Sequence, residues 1–291
     1  MSNVNDNSIL LPTNDVCFEK LMDNPKVRKG LSAALLEIDP KMIKDTTLLK
    51  NKTERSSIDD KYGILDVKIL LVNGTIINLE MQIRKYDYWD KRILFYMSKS
   101  YTSQIHTGDE YEELKKCIHA SILDFIQFPN DDKCYRKIQF CDVDSGEVYT
   151  DMFEIHIMEL KKLSKDTRTD KPIIRWMKFF NCKTREEFEN MKNIDEYIQE
   201  AYDELVRFCA NKELREKYED HEKTLRDNYA FLCSAKREGL AEGRAKGRAE
   251  GRAETISLLK QMKRLHKEGK SFEEIALELG FSIDEVRDIL E

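Results

Sequence analysis

The sequence predicts an α/β (α+β) protein: a mixed β-sheet flanked by helices, followed by an α-helical C-terminal extension. Three observations carry that prediction. Two β-rich runs, residues 64–72 and 75–84, surround Asn73-Gly74, a dipeptide suited to a two-residue hairpin turn with φ > 0 at both positions. Helical spacing across 87–107 separates these runs from further strand-like runs at 117–128, 135–141 and 153–160. After Pro172 the pattern is helical to about Cys233. Strands mixed with helices and then helices alone suit a sheet packed under helices with a helical appendage.

The chain has 291 residues, 41% hydrophobic and 36% charged, enough apolar mass for a real core beneath a heavily charged surface. A net charge of −6 does not advertise a nucleic-acid binder, although a local basic face remains compatible with it. No apolar stretch reaches the length of a membrane span, and the first residues lack the basic and apolar regions of a secretory signal. Seven scattered cysteines, odd in number and without Cys-x-x-Cys, suit reduced thiols and a cytoplasmic location. The five histidines are dispersed and receive no role.

Residues 1–12 are polar and read as a mobile N-terminus. Thr13 or Asn14 can cap a helix running to about Met22, which Asn24-Pro25 breaks. A second helix follows from about Lys26 to Ile38, with Leu31, Ala34, Leu35 and Ile38 at helical spacing. Asp39-Pro40 ends it, since a residue before proline avoids the α region. Residues 43–49 read as a short edge strand, and the hairpin follows. Trp89, Ile93, Tyr96, Met97, Tyr101 and Ile105 recur every three or four residues, as on one side of a helix. The strands at 135–141 and 153–160 are joined through a turn at Asp144-Ser-Gly146. The main domain is thus expected over 13–235.

Residues 236–254 repeat a four-residue unit, with glycines at 239, 243, 247 and 251 and alanines at 241, 245, 249 and 253. Alanine, glutamate and arginine favour helix, but each glycine costs about 1 kcal/mol relative to alanine. A helical connector, a helix that needs a partner, and a flexible linker all fit this composition. Residues 255–291 form a small helix-turn-helix-like module, with Ser282 and Glu285 placed for a capping box. From Lys270 to Glu291 it carries two basic and seven acidic residues. Phosphate contact dominates DNA affinity, so this charge favours protein interaction over autonomous DNA binding.

The chemistry is expected on the hairpin. In its second run Ile77, Leu79, Met81 and Ile83 alternate with Asn78, Glu80, Gln82 and Arg84. Period two sends the first set to a buried face and the polar set to the other. Glu80 and Gln82 then share a side, with Asp66 across the hairpin. Two converging acids suit a hard divalent cation, which prefers oxygen ligands and can promote phosphodiester hydrolysis. Two solvated acids on an ordinary hairpin would read the same way by spacing alone.

Four stretches resemble the PD-(D/E)XK nuclease family transposases, close to the Rpn recombination-promoting nucleases of bacteria. They are Asp15-x-x-Phe18-x-x-Leu21-Met22; Asp66 with Glu80-x-Gln82; Arg92-x-x-x-Tyr96-x-Ser98-Lys99-x-Tyr101 with Tyr111-x-x-Leu114-Lys115 and Ile122-Leu-Asp124-Phe125; and the Glu-Gly-Arg-Ala repeat. The resemblance implies a restriction-endonuclease-like fold and a Mg²⁺-dependent DNA endonuclease, with Mn²⁺ as an alternative ion. It implies a link to DNA recombination or a mobile element. Asp66 and Glu80 would bind the ion, with the Met81 carbonyl and, more weakly, Asp15. Asp15 reads equally as an acid favoured by a helix N-terminus. Gln82 would position the attacking water, and Arg84 and Lys85 would contact phosphate. Leu65-Asp66 stands where the superfamily has Pro-Asp, and Gln82 where it usually has lysine; a neutral amide orients water but carries no cationic charge. The competing expectation is a catalytically weak or inactive nuclease fold that serves as a DNA-associated assembly module. The tail is expected to support a homo-oligomer, and no membrane partner is expected.

Overall fold

The structure is a computed structural model that describes residues 9–49, 67–85, 87–163 and 171–291. Most of the expected mobile N-terminus, and Asp66, lie outside these residues. The chain divides into two compact units, residues 1–222 and 223–291.

The first unit opens with α1 (Asp15–Asp23) and α2 (Pro25–Leu36). Asn14 caps α1 by accepting from the Val16 N–H, and Asn24 caps α2 by accepting from Lys26 and Val27. Glu37, at φ 55°, ends α2 two residues before the expected stop at Asp39-Pro40. The buried Arg28 donates from Nη1 to the carbonyls of Met22 (2.6 Å) and Asp23 (2.9 Å), orphan acceptors at the end of α1. Its Nη2 donates to the Thr46 carbonyl at 3.0 Å, tying α1 to strand β1 (Thr46–Leu49). Gly30 brings α2 against α6 (Glu196–Ala210): a Cβ there would stand 2.4 Å from Tyr197 Cβ.

The remaining strands are β2 (Val67–Leu71), β3 (Ile76–Gln82), β4 (Cys117–Leu123), β5 (Tyr135–Cys141) and β6 (Val148–Glu159). They form a mixed six-stranded sheet in the order β1-β2-β3-β4-β6-β5. β3, β4 and β6 run parallel at the centre; the outer pairs are antiparallel. The hairpin forms, but with a three-residue loop. The Leu71 N–H donates to the Thr75 carbonyl, and among the loop residues only Gly74 has positive φ, at 86°. A three-residue loop needs one left-handed residue where the two-residue turn needs two. Asn73 contributes its side chain instead, accepting from the Thr75 N–H at 3.0 Å.

Helices α1, α2, α6 and α4 (Pro172–Asn181) cover one face of the sheet, packing on Ile77, Leu79, Met81, Ile118, Ala120, Ile122 and Met158. The other face lies under α3 (Trp89–Thr102), whose Trp89, Ile93 and Met97 meet Leu123 and Ile157. Both faces of β3 are therefore buried. The expectation of one buried and one open face does not hold, because parallel pairing with β4 makes β3 an internal strand and its crossover helix covers the second face. α5 (Arg185–Met191) starts at a capping box formed by Thr184 and Glu187.

The repeat lies within one continuous helix, α7 (Lys212–Lys267). In the second unit α8 (Phe272–Leu279) and α9 (Ile283–Leu290) each begin with a capping box, and Gly280 at φ 74° turns the chain between them. Met262, Leu265, Ile275, Ala276 and Val286 form that unit's small core.

Candidate functional site

The polar row of β3 sits between the sheet and α3. Asn78, Glu80 and Gln82 alternate with core residues, and the parallel register sets His119 beside Asn78, Ser121 beside Glu80 and Leu123 beside Gln82. Glu80 is the centre of this row and only 1% exposed. Gln82 Nε2 donates to Glu80 Oε1 at 2.5 Å. Arg92, projecting from α3, brings Nη2 to 2.7 Å from the same oxygen. His119 Nε2 lies 3.2 Å from Glu80 Oε2 and 2.9 Å from Ser121 Oγ. The carboxylate is thus held through both oxygens by three nitrogen-bearing side chains.

A buried carboxylate needs such partners, because desolvating an unpaired charge is costly. The shell is nevertheless incomplete. Arg92 Nη2 is close to Glu80 but not aligned for a hydrogen bond, and among the described residues this buried nitrogen has no hydrogen-bond acceptor. Among the described residues, His119 Nδ1 and Asn78 Oδ1 also lack a hydrogen-bond partner although buried.

The other expected site residues fall as follows. Asp66 immediately precedes the first described residue of β2, Val67, which pairs with Leu79. The Ile76 N–H donates to the Lys116 carbonyl and the Gln82 carbonyl accepts from Asp124, so the even-numbered positions of β3 bond to β4. Alternation directs the Met81 carbonyl away from β4, toward the β2 side. Asp15 faces α7, with Oδ2 3.6 Å from His221 Nε2. Burial raises the Asp15 carboxyl above its ordinary range; His221 opposes this, while Glu222, Glu19 and Glu80 add to it. Asp15 is therefore within electrostatic range of Glu80. Arg84 is half-buried and Lys85 exposed, just past the end of β3. Among the described residues no three His, Cys, Asp or Glu side chains gather to hold a metal ion, a set that leaves out Asp66. Glu80 and the Met81 carbonyl supply hard oxygen donors at consecutive positions, and that donor chemistry fits Mg²⁺ or Mn²⁺.

Arg92, His119 and Ser121 were not among the expected site residues. His119 and Ser121 carry a readable signal, since they alternate with Ile118, Ala120 and Ile122 as the polar set of a strand. Their place beside Glu80 depends on parallel pairing across a crossover, which no turn motif encodes. Arg92 lies one turn past Trp89, on the side of α3 that meets the sheet.

β6 carries two other buried ionic groups. Glu154 accepts from Lys116 (2.7 Å) and Gln139 (2.7 Å), with His156 at 3.2 Å and Lys137 at 3.1 Å. Burial alone would raise its carboxyl, but hydrogen bonds from His156, Lys116 and Lys137 overcome this and hold it at about 2. Glu159 accepts from the backbone of Gln127 and Phe128 and from Lys162 at 2.9 Å, which ties down the β4–β5 connection. Both carboxylates are well supplied with donors and read as structural.

A family model described as PD-(D/E)XK nuclease family transposase matches residues 12–235. That span contains α1, the whole sheet and the Glu80 cluster. No curated protein and no solved structure matches the chain.

Proposed function

We propose a function from one established premise: the chain belongs to the PD-(D/E)XK nuclease family transposases. Nucleases of this kind hydrolyse phosphodiester bonds and generally use a divalent metal ion. The proposed activity is Mg²⁺-dependent cleavage of DNA, with Mn²⁺ able to substitute, in the recombination of a mobile element. Within the family the Rpn recombination-promoting nucleases are the proposed group, on the strength of the ordered set of four stretches, the Glu-Gly-Arg-Ala tail among them. The proposed location is the cytoplasm; among the described residues no helix is long and apolar enough to cross a membrane.

The observation that carries the reading is the buried Glu80-x-Gln82 pair inside the matched span. Asp66 and Glu80 would hold the ion with the Met81 carbonyl, and Asp15 is a weaker, more distant contributor. Asp66 is the residue before Val67 in the sequence, and Val67 pairs with Leu79, the neighbour of Glu80; that sequence proximity supports pairing the two acids. A bound divalent ion supplies an acidified water and neutralises phosphate charge. The chain's own residues set the conditions for that chemistry. Gln82, hydrogen-bonded to Glu80, fixes the carboxylate rotamer and offers its amide for orienting water. His119 fixes the second carboxylate oxygen, and Trp89, Ile93 and Met97 keep bulk water from this face. Arg84 and Lys85, beyond the strand end, would meet the DNA backbone.

The tail is the proposed assembly element. Phe231, Leu232, Leu240 and Ile256 on α7 are exposed, as expected of a helix that takes up another copy of the chain. A second reading has one observation in its favour: both Glu80 oxygens are already engaged. On that reading the fold is an inactive module that associates with DNA. Supercoiled plasmid incubated with Mg²⁺ decides between them. Nicking that stops with chelator and with Asp66→Ala supports the nuclease; intact plasmid with retained DNA binding supports the module.

A further inference from the structure

Phosphodiester hydrolysis builds negative charge on the scissile phosphate, and preorganised cations in a dry site are an effective way to stabilise it. Gln82 carries no charge. Arg92, from a different element, places its guanidinium on the very oxygen that Gln82 contacts, Glu80 Oε1. That same Nη2, 2.7 Å from Oε1, has no well-aligned acceptor among the described residues. A guanidinium stays protonated throughout the accessible pH range and offers planar, bidentate geometry to a phosphate. An arginine needed only to neutralise Glu80 would be expected to use that nitrogen in a well-aligned bond. The ring of Tyr96, 5.6 Å from the guanidinium carbon, flanks the group.

We propose that Arg92 is the catalytic cation of this site, working with Gln82 to do what one lysine ammonium at position 82 would do. The proposal rests on the nuclease reading of the same site. Without DNA and metal, Arg92 rests on Glu80 and balances its charge. With both bound, its guanidinium serves the scissile phosphate. Resting on Glu80, Arg92 competes with the metal for that carboxylate; a catalytic cation, unlike a purely structural partner, should in addition be replaceable for cleavage by a lysine at position 82.

The test uses the full chain with Mn²⁺ as the calorimetric probe and supercoiled plasmid as substrate. Arg92→Gln is expected to tighten Mn²⁺ binding by about tenfold, because a competing charge has gone. It is expected to slow cleavage by about 100-fold or more. The double variant Gln82→Lys/Arg92→Gln keeps one cation beside Glu80, so it retains the charge balance if the single variant unfolds. It is expected to recover cleavage to within about tenfold of the natural chain. Weaker Mn²⁺ binding in Arg92→Gln, or a folded double variant that stays inactive, would overturn the proposal and leave the nuclease reading standing. A natural chain that neither binds Mn²⁺ nor cleaves would overturn both.

Discussion

Replacing Glu80 by glutamine probes the buried cluster with almost no change of shape. Glu80 is only 1% exposed, Arg92 Nη2 stands 2.7 Å away, and the Arg92 side chain is 14% exposed. The substitution removes the carboxylate charge and leaves the guanidinium without its counter-charge. Breaking a buried pair in this way costs about 3–5 kcal/mol. Arg92 retains some access to water, which places the expected loss near the low end, about 3 kcal/mol. Replacing both partners, as in Glu80→Gln/Arg92→Met, removes the stranded charge, so the double variant should lose less than the sum of the single losses. The assay is urea unfolding of the natural chain, the two single variants and the double variant, followed by circular dichroism. Calorimetry of the same proteins reads Mn²⁺ affinity, which Glu80→Gln should weaken far more than Gln82→Ala, since a carboxylate gives charge to a hard cation and an amide does not. Additive losses in the cycle would show that Glu80 and Arg92 do not act as a pair. Equal Mn²⁺ titrations for Glu80→Gln and Gln82→Ala would refute the division of labour between the two residues.

Other substitutions test separate parts of the structure. Gly30→Ala should destabilise the first unit by about 1–3 kcal/mol, read as a lowered urea midpoint, because its Cβ would meet Tyr197 Cβ at 2.4 Å. The Glu154 carboxyl is held at about 2, below its ordinary 4.5, so its contribution is complete above 4.5 and fades as pH falls toward 2. Glu154→Gln should therefore lower the melting temperature at neutral pH and flatten its decline between those two values. Truncation after Ala235 should leave a folded, monodisperse fragment that still binds Mn²⁺, since the proposed ligands all precede Gln82; light scattering and circular dichroism would expose an aggregated or unfolded product.

Local signals reached the elements better than their environment. Asn14 as a cap and Ser282 with Glu285 are short-range features whose hydrogen bonds close within a few residues, and Asn24-Pro25, read as a break, also begins the next helix, with Asn24 as its cap. Asn73-Gly74 marked the hairpin, although Leu71 and Thr75 close the loop one residue wider, a difference of backbone geometry that the dipeptide does not encode. The alternation in β3 was readable, but not that its polar row would be buried. That outcome depends on β4 pairing in parallel and on α3 closing over the row, both long-range events. For the same reason Glu80 and Gln82 stood out as neighbours at spacing two, whereas Arg92 and His119 reach Glu80 from elements that sequence spacing alone does not bring together. The buried Glu154 and Glu159 were hidden in the same way, since donors reach them from Lys116 just before β4, from β5 and from the β4–β5 connection.

The decisive measurement is the initial rate of supercoiled-plasmid nicking in Mg²⁺ by the natural chain and by folded Asp66→Ala protein, compared at equal concentration. A metal-dependent nuclease centred on Asp66 and Glu80 predicts a chelator-sensitive rate for the natural chain and none above background for the variant. Equal rates in the two proteins would remove Asp66 from the chemistry, and no nicking by the natural chain would contradict the nuclease assignment itself.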